Sequence, residues 1–416
     1  MVNFLSKTKN NLKNDILSGL TVSLALIPEA VAFSFVAGVE PLVGLYAAFL
    51  VGLITSIFGG RPGMISGATG ALAVVMVSLV SNHGVEYLFA AVVLMGIIQM
   101  LAGLLKLGKF VRLIPHPVML GFVNGLAIVI FLAQLSQFKF VDSEGVSQWL
   151  QGNEMSIMLF LVALTMGIIY FLPKLTKAIP SSLVAIVSVT GLVTYFGLDT
   201  RTVADMASVG GGLPSLHIPS VPLNLETLKI ILPYSSILAA IGLIESLMTL
   251  QLVDEITETR GNTNRECIGQ GFSNLVTGLF GGMGGCAMIG QSMINVNSGG
   301  RGRASGITAA LCLLFFIVVG SSMIEMIPLA ALVGVMFMVV IGTFEWSSVQ
   351  VLGKIPKSDA FVIILVSTVT VFSDLAVAVF CGVIVSSLVF AWKKSERINS
   401  KNHIDQEGFK HYKLKG

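Results

Sequence analysis

The sequence predicts an all-α membrane protein of fourteen transmembrane segments arranged as a seven-plus-seven inverted repeat. Three observations carry that prediction: an apolar composition, basic residues that alternate from loop to loop, and a repeated Gly-rich break. The chain has 416 residues, a mean hydropathy of +0.88, 54% hydrophobic residues and only 11% charged ones. Soluble domains carry about 25% charged residues, so the solvent for most of this surface is lipid. A spanning helix needs about 20 mainly apolar residues, and this length holds roughly a dozen or more.

The apolar runs follow in order. The first half holds Ile16–Gly38, Val43–Phe58, Ile65–Leu79, Tyr87–Leu105, Val118–Leu135, Met155–Leu172 and Leu183–Phe196. The second half holds Ile230–Leu252, Ile268–Phe280, Ala287–Val296, Ile307–Ile327, Ala331–Phe344, Ala360–Val371 and Leu375–Trp392. Met1 to Asn14 is polar, and no small-residue cleavage site follows a short apolar core, so the first run reads as a permanent span. The third and tenth runs are too short to cross about 30 Å of hydrocarbon alone.

Fourteen spans put both termini on one side, taken as cytoplasmic at the inner (plasma) membrane. That side then receives every one of the 25 basic residues except Lys139, Arg201 and Lys229. Cytoplasmic loops carry the Lys/Arg excess in membrane proteins, and a wrong span count would scramble the alternation.

Phe58-Gly59-Gly60-Arg61-Pro62-Gly63 recurs as Phe280-Gly281-Gly282-Met283-Gly284-Gly285. Upstream, Leu26-Ile27-Pro28-Glu29 is echoed by Leu243-Ile244-Glu245. Seven spans per half invert the second half relative to the first. Inverted repeats with helices interrupted at matching positions point to a transporter binding site.

The chemistry concentrates at these breaks. Ser66-Gly67-Ala68-Thr69-Gly70-Ala71 opens the third run, and Gly284 to Ser292 opens the tenth. Irregular backbone at membrane depth is tolerated only where it lines a cavity or is buried in protein. The N–H groups at a helix start carry about half a positive charge. Two facing starts therefore make an anion site without Lys or Arg. The candidate substrate contacts are Gly67, Ala68, Thr69, Gly70, Ala287, Met288, Ile289 and Gly290. The competing reading is that these glycines only let helices cross closely.

Glu29 and Glu245 lie inside long apolar runs, where a carboxylate is costly and a functional role is the default hypothesis. Thr249 shares a helix face with Glu245, four residues on, and Ser246 is adjacent. A carboxylate, a hydroxyl and backbone carbonyls suit a hard cation such as Na⁺; the carboxylate can instead bind a proton. The coupling-ion residues are thus Glu245, Thr249 and Glu29, with H⁺ or Na⁺ as the ion. The alternative is a structural hydrogen bond to a neighbouring helix. Na⁺ at Glu245 and Thr249 is the only metal contemplated, and no cofactor is expected.

Asn124, Gln134, Asn274, Asn295 and Asn297 read as polar stitches between helices. The four cysteines show no C-x-x-C spacing and read as small buried hydrophobes. His116 lies beside a basic loop, and His83, His217, His403 and His411 fall in expected loops or the tail. No HExxH, P-loop or GxSxG appears, so zinc hydrolase, ATPase and serine hydrolase readings lack support; the protein is not expected to be an enzyme.

Several stretches together resemble the SulP sulfate-permease family of anion transporters. They are Ile27-Pro28-Glu29-Ala30-Val31-Ala32-Phe33 with Gly44 to Phe49; Phe58-Gly59-Gly60 with Ile65 to Gly70; Pro115-His116-Pro117-Val118 with Gly121-Phe122; and Asn262 to Glu266 through Gly269-Gln270-Gly271 to Gly299 to Gly306. The resemblance implies a core and a gate domain, an elevator-like motion, and substrate held between half-helices 3 and 10 at mid-membrane. Nucleobase–cation symporters share this fold. Comparison with the family's cyanobacterial sodium–bicarbonate transporters implies Thr69 as an anion contact. It places the Na⁺-binding aspartate at Glu245, a threonine ligand at Thr249, and the anion-binding turn at Ala287, Met288 and Ile289. Here Glu245 replaces the aspartate and Ile289 a threonine, which favours a proton over Na⁺. Gln291 stands where many relatives carry arginine, which favours a less charged anion.

The transmembrane transport domain is expected over 1–392 and a cytoplasmic tail over 393–416. The tail reads as two short strands around a turn at Glu407-Gly408, and it resembles the truncated start of a STAS domain. The expected function is secondary active transport of a small anion: sulfate, bicarbonate or a related species. The rival readings are a nucleobase–cation symporter, an anion-sensing membrane protein without net transport, and a channel. The expected partners are a small inorganic or organic anion and the lipid bilayer, with no nucleic acid and a homodimer as a possible assembly.

Overall fold

Helices account for most elements of the computed structural model, which describes residues 2–109, 116–141, 147–176, 181–206, 212–222, 224–351, 354–372, 381–382, 384–389, 399–404 and 410–415. In chain order the elements are α1 (Val2–Ala37), α2 (Pro41–Phe58), β1 (Ser66–Gly67), α3 (Gly70–His83), α4 (Val85–Leu104), α5 (His116–Gln134), β2 (Lys139–Val141), β3 (Ser147–Trp149), α6 (Gly152–Leu175), α7 (Ser181–Phe196) and α8 (Val203–Met206). There follow α9 (Leu225–Thr257), α10 (Thr263–Leu279), β4 (Cys286–Ala287), α11 (Ile289–Asn297), α12 (Arg303–Val319), α13 (Ser321–Glu325), α14 (Leu329–Thr343), α15 (Trp346–Val351), α16 (Lys357–Phe372), β5 (Asn399–Ile404) and β6 (Lys410–Lys415).

Among the described residues six helical segments are long and apolar enough to cross a membrane: Leu12–Ala37, Pro41–Phe58, Val85–Leu104, Pro117–Phe138, Gly152–Leu175 and Leu225–Thr257. Four shorter apolar helices, Gly70–His83, Ser181–Phe196, Arg303–Val319 and Leu329–Thr343, accompany them. Large apolar side chains face outward, as Leu159, Phe160 and Phe171 do on α6, which suits a lipid solvent. The chain is a multi-pass helical membrane protein.

Several runs differ in detail from the sequence expectation. The third and tenth begin as two-residue strands, and their helices start only at Gly70 and Ile289. The eleventh is split at Gly320 into α12 and α13. The last, Leu375–Trp392, lies largely outside the described residues. His83, expected in a loop, sits in the last turn of α3. In the tail β5 pairs antiparallel with β6, His403 opposite His411; the expected turn at Glu407-Gly408 lies outside the described residues.

The chain divides into two compact units, one of Met1–Val111 with Ala127–Gly342 and one of Arg112–Leu126 with Thr343–Gly416. In the first, α4 and α10 cross closely at Gly96 and Gly271, where added side chains would meet opposing backbone. Tight crossings at small residues are how helices associate in lipid, where no hydrophobic force drives them together. In the second unit Asn124 Nδ2 donates to Ser348 Oγ at 2.7 Å and Asn124 Oδ1 accepts from the Glu345 amide at 2.9 Å.

Candidate functional site

All the sequence-predicted site residues fall in the first unit. The site is organised by a backbone crossing: β1 pairs antiparallel with β4, Ser66 opposite Ala287 and Gly67 opposite Cys286. Gly285 allows it, because a Cβ there would overlap the carbonyl oxygen of Gly67. Just beyond the crossing the chain turns helical twice. Thr69 (φ −134°, ψ 144°) is the extended N-cap of α3, and Met288 (φ −109°, ψ 130°) that of α11. Neither N-cap side chain caps its own helix. The first intrahelical bonds are Ala73 N–H to Thr69 O (3.1 Å) and Ser292 N–H to Met288 O (3.1 Å). The amides of Gly70, Ala71 and Leu72, and those of Ile289, Gly290 and Gln291, therefore have no intrahelical acceptor.

Buried polar side chains hold the crossing in place. On α10, Asn274 accepts from the Gly285 amide (2.8 Å) and donates to the Gly285 carbonyl (3.0 Å) and to Gln99 Oε1 of α4 (2.9 Å). One turn earlier, Gln270 Nε2 donates to Ser66 Oγ and to Glu266 Oε1, both at 2.8 Å. The Met288 amide donates to the Ile65 carbonyl at 2.9 Å, and the Ile65 amide to Ser292 Oγ at 3.0 Å. Asn274, Gln270 and Ser292 are fully buried, where an unmade hydrogen bond costs about 1–3 kcal/mol.

Glu245, half-buried on α9, reaches both helix starts. Thr69 Oγ1 donates to its carboxylate at 3.3 and 3.4 Å, long for such a bond. The Cys286 thiol donates to Glu245 Oε2 at 3.1 Å. One turn on, Thr249 Oγ1 donates to the Glu245 carbonyl at 2.8 Å and lies 3.4 Å from the Ala287 carbonyl. Glu29 of α1 is buried, and its carboxylate accepts from Gln291 Nε2 in the first turn of α11. Thr69, Glu245, Thr249, Ala287 and Met288 thus converge on one crossing, and Glu29 joins it through Gln291.

Two of the expected anion contacts have their backbone amides hydrogen-bonded within the protein. The Ala287 amide is taken by Ser246 Oγ (3.0 Å) and the Met288 amide by the Ile65 carbonyl. The open donors lie further along, at Ile289, Gly290 and Gln291; Gly290 is exposed, and a Cβ there would meet nothing within 4 Å. Two residues join the site without a sequence expectation of function: Cys286, whose thiol meets Glu245, and Gln270, which supports Ser66. The four-residue spacing of Gln270 and Asn274, which puts both amides on one helix face, is the sequence signal for the support. Among the described residues no group of three or more His, Cys, Asp or Glu is placed to hold a metal.

A multi-pass helical protein in which two interrupted helices start at one buried crossing has the features of a transporter. The comparisons with known proteins agree. Residues 12–366 match the model of the sulfate permease family. "Putative sulfate transporter YbaR" of Bacillus subtilis is 51% identical over 98% of this chain and 82% of its own length. The bicarbonate transporter BicA of a Picosynechococcus strain is 35% identical over 91% of this chain and 70% of its own. The transmembrane domain of a cyanobacterial BicA superposes with a TM-score of 0.77 at 31% identity, covering 89% of this chain and 97% of that one. The chain belongs to the sulfate permease family. These relatives are transporters, in keeping with the expectation that the protein is no enzyme.

Proposed function

We propose that this protein is a secondary transporter of small anions, sulfate or bicarbonate among the candidates, with Glu245 coupling the anion to a cation. The observation that carries the reading is the crossing of β1 and β4, which aims two sets of unbonded helix-start amides at one locus beside Thr69. Such amides stand in for the water a small anion sheds. The names of the relatives support an anionic substrate.

The coupling follows from charge. Thr69 touches the Glu245 carboxylate, so an anion taken up at Thr69 stands next to a second negative charge. Two like charges 4 Å apart repel by about 4 kcal/mol at an effective dielectric of 20. A proton on Glu245, or a Na⁺ beside it, removes that penalty and links cation to anion. Thr249 spends its hydrogen on the Glu245 carbonyl, which leaves its oxygen lone pairs for a hard cation. The replacement of a threonine by Ile289 and of an aspartate by Glu245 favours H⁺. In this reading the chain has seven-plus-seven spans, both termini in the cytoplasm, and an elevator-like motion of the site.

The test is uptake of labelled sulfate and bicarbonate into proteoliposomes under imposed pH and Na⁺ gradients. Uptake driven by one gradient, and loss of that dependence in Glu245→Gln, is the expected result. Uptake indifferent to both gradients removes the coupling, and a Glu245→Gln variant that still follows the gradient removes its assignment.

A further inference from the structure

A basic site lies away from the crossing, in the linker that leads to it. Between α2 and β1, Arg61 and Gly63 line a cavity of about 280 Å³ together with Thr257 and Thr259, just past or at the end of α9, and Gly300 and Arg301, just past α11. The volume suits a phosphoryl or sulfuryl group with its hydration.

The charges around it do not balance. Arg61 is buried, and its Nε pairs with Asp254 at 3.1 Å. Its Nη2 donates to the Val253 carbonyl at 3.1 Å, to Thr259 Oγ1 at 2.8 Å and to Thr257 Oγ1. Arg301 donates through Nη1 to the carbonyls of Val296 (2.6 Å) and Gly300 (3.2 Å), and it makes no ion pair among the described residues. Asp15, the carboxylate nearest in the bonding pattern, is committed to the backbone amides of Arg301 (2.8 Å) and Gly302 (3.0 Å). Of the two guanidinium groups, Arg61 therefore has a carboxylate partner and Arg301 has none among the described residues. Burial draws the Arg61 guanidinium below its ordinary range; Asp254 opposes the shift and the charge of Arg301 adds to it. Neither guanidinium uses all its donors on protein acceptors among the described residues, and Arg is the side chain best shaped to chelate an oxyanion.

We infer that this cavity binds a tetrahedral oxyanion, a phosphate or phosphate-ester group, bridged between Arg61 and Arg301 and distinct from the anion held at the helix starts. The linker between Gly60 and Thr69 is three residues longer than its counterpart between Gly282 and Met288, and Met283 follows the second Phe-Gly-Gly where Arg61 follows the first. The repeat therefore builds this cavity once. A bound oxyanion clamps the linker to the ends of α9 and α11, and so stabilises the protein whichever anion is transported.

The experiment is thermal unfolding of the full chain with inorganic phosphate in detergent, and separately in nanodiscs of phosphatidylcholine with or without phosphatidylglycerol. A ligand of the folded state raises the midpoint. The expected result is a phosphate-dependent rise in the midpoint, present in Thr69→Val and weakened about tenfold or more in Arg301→Gln, the size of a lost charged hydrogen bond. A rise with phosphate identifies a soluble oxyanion as the ligand, and one confined to phosphatidylglycerol identifies a lipid headgroup. Arg61→Gln leaves Asp254 unpaired, so the double variant Arg61→Gln/Asp254→Asn accompanies it and is expected to lose the rise as well. A rise unchanged in Arg301→Gln, or one abolished by Thr69→Val alone, overturns the inference, as does no rise in either medium.

Discussion

The two half-helix units, residues 58–70 and 280–289, share a backbone design and differ in what surrounds it. Each runs from a Phe-Gly-Gly turn through a two-residue strand to an extended N-cap. The first ends enclosed: Thr69 and Gly70 are buried, with Phe33 and Ile130 beside Gly70. The second ends open, with Ile289 half-buried and Gly290 exposed. The first N-cap brings a hydroxyl, the second a thioether. In the proposed reading, an anion would be received at the second start and fixed by the hydroxyl at the first. The shared part lies in backbone pairing and the differing part in side chains, so the two are separable by mutation.

The largest effect is expected at the shared crossing. Gly285→Ala forces a Cβ into the Gly67 carbonyl, and overpacking of this kind should cost about 3 kcal/mol or more, read as a large drop in unfolding temperature with loss of uptake. Next is Asn274→Ala, which strips both bonds from Gly285 and one from Gln99. It should cost about 2–3 kcal/mol and lower the midpoint while leaving some fold. Thr69→Val keeps the shape and removes the hydroxyl. It should weaken anion binding about tenfold in ligand-induced thermal shifts with little change in the unliganded midpoint; an unaltered affinity would mean that the two starts do not differ as described. The smallest effect on stability is at Gly290→Ala, where the new methyl meets open space. The midpoint should move by less than about 1 kcal/mol equivalent, yet anion affinity should fall, because the methyl narrows the exposed approach. A folding defect there would show that the second start is not open.

Much of the shared crossing is readable in the sequence, and the limits of that reading are physical. The repeated Phe-Gly-Gly, the short third and tenth runs and the lone carboxylates of Glu29 and Glu245 are local signals, and each pointed to the crossing. The destination of an amide is not local. Ala287 and Met288 looked like open donors because nothing in the sequence shows that Ser246 of α9 and Ile65 of the other repeat take their hydrogens. Cys286 was passed over because a thiol is read as a hydrophobe until a carboxylate is seen beside it. The split at Gly320 was missed because one glycine in an apolar run is compatible with a continuous helix. The role of Asn274 as a stitch was legible; its target, a glycine of the broken segment, was not.

The pairing of β1 with β4 also has a consequence for biosynthesis. The Ile65 amide has its partner in Ser292, 227 residues further along the chain. At about 5–20 residues per second of synthesis, roughly 10–45 s pass before that partner exists. The N-terminal repeat must wait through this interval with its broken segment unpaired, sheltered by the translocation machinery or by its own neighbouring helices. The first half of the protein, made alone, should therefore be a client for quality control rather than a half-working carrier.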